Sequence, residues 1–119
     1  MATFTKSILS GSTDGRAIKV AATSSPGTTV HTGSSTAADI HEVWLYAQNT
    51  GGSDAKLTVE WGGSASPDDL IELTITTEAG LTLIAPGLLL KGNATPLVVK
   101  AFAATTNVIT LHGFVNEIV

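Results

Sequence analysis

An all-β fold, a jelly-roll-like antiparallel sandwich of about eight short strands, is what this 119-residue chain predicts. Three observations lead there. Thr is the most frequent residue, followed by Ala, Leu, Gly, Val and Ser, whereas the helix formers Glu, Lys, Arg, Gln and Met are scarce. Apolar and polar residues alternate with period two over several short runs. Gly, Ser, Pro, Asn and Asp separate those runs at regular intervals.

Taken in order, residues 1–16 (MATFTKSILSGSTDGR) are rich in Thr, Ser and Gly and hold no sustained period. They are expected to form a flexible N-terminal arm, leaving a single sandwich domain over 17–119. A first strand is expected at 17–22. Residues 23–38 are polar and turn-rich, a long loop or loosely paired edge with a short strand at 28–32. Val43 to Ala47 form a strand without a polar break, and the loop NTGGSD returns the chain into 55–61. There Ala55, Leu57, Val59 and Trp61 alternate with Lys56, Thr58 and Glu60. After the loop GGSASPDD, Ile71, Leu73 and Ile75 alternate with Glu72, Thr74 and Thr76 in the same way. Further strands are expected at 81–85, 88–90, 97–103 and 108–115.

Composition narrows the function classes. The mass of 12.1 kDa suits one domain, which should bury roughly two-thirds of its unfolded surface. Charged residues are 13% of the chain, about half the usual share, and mean hydropathy is +0.30, so the chain should fold rather than stay solvated by charge. A net charge of −4 with only six Lys and Arg argues against nucleic acid as a partner. With no Cys, disulfides and thiolate chemistry are ruled out. Ile8 and Leu9 alone do not make the apolar core of a secretion signal. The greasiest stretch, LTLIAPGLLL, is half a membrane span and is broken by Pro86-Gly87. A soluble chain without export signal or membrane contact is therefore expected.

Few constellations point to chemistry. The histidines are His31, His41 and His112. Asp39 and His41, two apart, would share one face of a strand, but a third metal ligand would have to come from His31 or His112, far away in sequence. They are expected as surface or interface histidines; near the axis of a three-fold assembly, one would make a metal or proton-sensitive site. No Ser sits in a G-x-S-x-G elbow. Asp68-Asp69 after Ser66-Pro67 read as a turn, not a Ca²⁺ loop. Gly51-Gly52 and Gly62-Gly63 open no helix and cradle no phosphate. The expectation is a non-enzymatic protein with no catalytic residues, metal, cofactor or small-molecule substrate.

One pattern points beyond a monomer. Val43-Trp44-Leu45-Tyr46-Ala47 and the runs near 81–85, 88–90 and 97–104 are apolar on both faces, whereas an antiparallel sandwich ordinarily keeps one face in water. Burying Trp44 and Tyr46 together with Val43 and Leu45 requires a second apolar partner, and these two aromatics are the expected anchors of a self-association interface. In the first twenty residues Lys6, Arg16 and Lys19 oppose only Asp14, on a chain that is acidic as a whole. Phe4, Lys6 and Arg16 are accordingly the expected contacts of a docking arm.

The run PDDLIELTITTEAGLTLIAPGLLLKG, followed by PLVVKAFAATTNVITLHGFVNEI, resembles small virion structural proteins of tailed bacteriophages. The likeness covers about Ile40 to Ile118 and lies in texture and word order. It implies a β-sandwich or jelly roll that assembles as a homotrimer. The implied role is head decoration, cementing the major capsid protein on the capsid exterior, or a place in the tail, neck or fibre. It brings no catalytic residues. A carbohydrate-binding module with Trp44 and Tyr46 as its platform is the rival from another class.

Overall fold

The computed structural model describes residues 2–119. They form nine strands and no helix: β1 (Phe4–Ile8), β2 (Ile18–Lys19), β3 (Thr28–Thr32), β4 (Ile40–Asn49), β5 (Ala55–Trp61), β6 (Leu70–Ile75), β7 (Thr82–Lys91), β8 (Val98–Ala103) and β9 (Ile109–Ile118). Two antiparallel sheets face each other. Sheet A runs β1-β9-β4-β7, with β2 also paired to β9, and sheet B runs β3-β8-β5-β6. The pairs are nested: β5 with β6, β4 with β7, β3 with β8, and β1 and β2 with β9. The chain is thus a β-sandwich, as its alternation requires.

Period two is written most plainly in β4. His41, Val43, Leu45, Ala47 and Asn49 are buried, while Ile40, Glu42, Trp44, Tyr46 and Gln48 are half-buried on the other face. The core forms where the inward residues of the two sheets meet. Val43, Leu45, Ala47, Ile109, Leu111 and Val115 come from sheet A, and Leu57, Val59, Ile75, Val99 and Ala101 from sheet B. Burying side chains of this size contributes about 1.5–3 kcal/mol each, which makes this layer the main source of stability.

Two backbone details shape sheet A. The runs expected separately at 81–85 and 88–90 are one edge strand, β7. Its register against β4 shifts between Val43 and Trp44, so that Pro86-Gly87 bulges out instead of ending the strand. Gly87 has φ +75°, and a Cβ there would meet the Trp44 ring at 3.1 Å. Opposite, a Cβ on Gly113 would lie 1.9 Å from the Trp44 carbonyl oxygen, so β9 comes as close to β4 as it does only because residue 113 has no side chain.

The expected N-terminal arm is corrected. Residues 4–8 are a strand of sheet A, with Phe4 opposite Ile118, Lys6 opposite Asn116 and Ile8 opposite Phe114. Thr3 and Val119 exchange backbone hydrogen bonds beyond it. Leu9 then drops into the core at 1% exposure. The order comes from β9: it is ten residues long, and its free edge supplies the backbone partners that β1's own side chains do not demand.

Candidate functional site

The outer face of sheet A collects the aromatic and large aliphatic side chains that the core does not use. Register places Trp44 opposite Phe114 and Tyr46 opposite His112, while Leu83, Pro86 and Leu89 of β7 flank them. Phe4 and Ile8 of β1 extend the same face on the far side of β9. The indole of Trp44 stacks on the Phe114 ring, with centroids 5.9 Å apart and planes 9° from parallel. Above that ring lies Lys6 Nζ, 4.9 Å from the centroid, in a cation–π contact. Phe4 is 71% exposed and Leu89 59%; Ile8 and Leu83 are also exposed. Polar groups share the face, among them Gln48, Thr110, His112 and, opposite Thr110 on β2, Lys19. Glu42 accepts a hydrogen bond from Asn116 Nδ2 at 2.8 Å, and Lys6 and Lys91 stand on the two outer strands.

Four of the five residues singled out from sequence therefore share one surface: Trp44, Tyr46, Phe4 and Lys6. Arg16 is apart from them, exposed in the connection between β1 and β2, where its N–H donates to the Thr13 carbonyl and its own carbonyl accepts from Ser12 Oγ. The expected grouping of Phe4, Lys6 and Arg16 on one arm is not formed. What sequence reading missed are Phe114, Ile8, Leu83 and Leu89, which β9, β1 and β7 deliver by register.

The outer face of sheet B is different. Lys56 and Glu72 form an exposed ion pair at 3.2 Å across β5 and β6. Glu60, only 2% exposed, lies under the 23–27 loop, where its two carboxylate oxygens accept from Ser25 Oγ at 2.6 Å and from the Gly27 N–H at 2.7 Å. Beside it is a cleft of about 390 Å³, lined by Pro26, Glu60, Pro96, Leu97 and Lys100 among others. Glu60 serves there as a cap for the loop, with its acceptors already committed.

The histidines divide between faces. His31 on β3 and His41 on β4 meet inside the sandwich, with His31 Nε2 and His41 Nδ1 2.9 Å apart. Burial and the neighbouring His41 push His31 down to about 4, against a smaller opposing pull from Glu117. Asp39 does not join His41; it precedes β4, and its carboxylate accepts from Ser34 Oγ. His112 lies on the outer face opposite Tyr46, and its Nε2 is buried without a hydrogen-bond partner. Among the described residues, no group of three or more His, Asp or Glu is placed to hold a metal ion.

Comparison of the chain with protein-family models, with curated proteins and with solved structures returned no match.

Proposed function

We propose that this chain is a non-enzymatic structural protein of a tailed-phage virion. In this reading it is a head decoration protein that self-associates as a homotrimer through the outer face of sheet A and cements the major capsid protein on the capsid exterior. The observation that carries the proposal is the outer face itself: Trp44, Tyr46 and Phe114 flanked by exposed Phe4, Ile8, Leu83 and Leu89. Contiguous apolar surface of this kind marks an interaction site rather than a finished exterior. A second copy is the occupant that fits. The face holds both signs of charge, Lys6 and Lys91 with Glu42, so symmetric copies can satisfy one another's charges.

The nested pairing of β5 with β6, β4 with β7 and β3 with β8 is in keeping with a jelly roll, which supports the resemblance to small virion structural proteins of tailed phages. Cementing needs no reactive centre. A protein that binds the closed shell but not its separated subunits stabilises the shell by mass action, and many identical weak contacts sum through avidity.

Light scattering on a sizing column, followed by co-sedimentation with phage capsids, tests the proposal. A trimer that pellets with heads is the expected result. A trimer that leaves heads unbound but joins purified tails moves the chain to the tail, neck or fibre. A monomer whose Trp fluorescence titrates with glycans would replace the proposal with a carbohydrate-binding module.

A further inference from the structure

At one end of the sandwich the two sheets are joined by imidazoles. His31 comes from sheet B and His41 from sheet A; both are buried, and their ring centroids are 5.1 Å apart. The surrounding hydrogen bonds fix where their protons sit. The Ser10 N–H donates to His31 Nδ1 at 3.1 Å, so that nitrogen is bare and the neutral ring carries its proton on Nε2. That Nε2–H donates to His41 Nδ1 at 2.9 Å, which in turn leaves the His41 proton on Nε2. His41 Nε2 then faces Glu117 Oε1 of β9 at 3.9 Å. From the other elements beside the pair, β7 and β8 bring only Leu90 and Val99, so Glu117 is the one charged group facing it.

Such a chain has no place for another proton. Protonating His31 turns Nδ1 into a donor aimed at the Ser10 N–H. Protonating His41 at Nδ1 forces His31 to accept at Nε2, which moves the His31 proton to Nδ1 and creates the same clash. In either case one hydrogen bond must break, and the Ser10 end is the one that can move away. Ser10 and Gly11 hold the N-terminal segment to sheet B by three hydrogen bonds. Besides Ser10 N–H to His31, Thr32 N–H donates to Ser10 Oγ at 2.7 Å, and Gly11 N–H donates to the Val30 carbonyl at 2.9 Å.

We propose that His31 and His41 form a buried site for a single proton, and that filling it opens the clip that Ser10 and Gly11 make between the N-terminal segment and sheet B. The clip is a contact within one chain and does not depend on what the outer face of sheet A binds. β1, whose side chains are almost wholly exposed, is anchored at its C-terminal end by this clip and by Leu9. Acid thus acts on the segment that carries Phe4, Lys6 and Ile8.

Two NMR measurements on the full chain test the proposal. Histidine ring nitrogen spectra at pH 7 should show the His31 proton on Nε2, hydrogen-bonded to a bare His41 Nδ1. Amide exchange, corrected for intrinsic rates, should show protection of Gly11 and Thr32 below that of Val43 and Leu111 at both pH values and falling more than tenfold from pH 7 to pH 5. That loss follows because an opened His31 takes up its proton near its ordinary value while the closed one does not. His112→Gln, on the other face, should leave the fall unchanged. His31→Gln should abolish it; should that variant not fold, the tautomer and exchange data on the native chain still decide. A His31 proton on Nδ1 at pH 7, or protection of Gly11 and Thr32 that stays level down to pH 5, would overturn the proposal.

Discussion

The two sheets turn very different outer faces to their surroundings. Sheet B shows Lys56, Glu72, Thr74 and Lys100 around a single half-buried aromatic, Phe102, with an ion pair in the open and Glu60 tucked beneath a loop of its own chain. Sheet A shows Trp44, Tyr46, Phe114, Leu83, Leu89, Phe4 and Ile8. Both sheets alternate with period two toward the same core, so folding needs only one face of each. What sheet A carries on its outer face goes beyond that need, and in the proposed reading this surplus is the part of the sequence that specifies association.

The sharpest way to separate those parts is to change neighbours on one strand. Leu45→Ala, on the inner face of β4, should lower stability by about 4 kcal/mol, read as a shifted urea midpoint, because the cavity opens in the centre of the core. Acid should act next. The folded-state value of His31, about 4, lies below the unfolded one near 6.5. The unfolded chain therefore binds the proton first; stability is complete above about pH 6.5 and falls as pH drops toward 4. The loss should approach about 3 kcal/mol and shrink in His31→Gln, measured by denaturation at a series of pH values.

Trp44→Asp, one residue from Leu45 but on the outer face, should leave the β-sheet circular dichroism intact and weaken self-association about a hundredfold. Light scattering should then find a 12.1 kDa species; an unchanged native mass would remove Trp44 from the interface. Smallest of all, Lys56→Ala on sheet B should cost under about 1 kcal/mol and leave the native mass alone, since an exposed ion pair is worth little.

How much of this could be read from the chain depends on whether burial wrote the pattern. β5 alternates in sequence and sends Leu57 and Val59 into the core, although Thr58 and Glu60 on its other face are covered as well, and Val43 to Ala47 identified the centre of β4. β1 left no such trace. FTKSI is exposed along nearly its whole length, so its strand conformation is imposed by the backbone of β9 and by no hydrophobic period. Pro86-Gly87 read as a break because a bulge on an edge strand tolerates residues that end a central one. Trp44 and Tyr46 were visible as an excess of apolar residues on one strand, whereas Phe114 and Leu89 join them only through register. The histidine pair was hidden for another reason. His31 and His41 lie on different sheets, and β3 shifts register between Thr29 and His31, so their separation of ten residues carries no geometric signal.

Thr3 and Val119 donate hydrogen bonds to each other's carbonyl oxygens, which brings both ends of the fold to one corner of sheet A. Any peptide fused to either end would depart from the same point, beside Phe4 and Ile118. A short linker between the two ends, with new ends opened in the exposed 64–68 segment, should give a permuted chain that keeps both sheets. For display, the same proximity means that two different cargoes, one per end, would be presented side by side, with spacing set by a single β-ladder step.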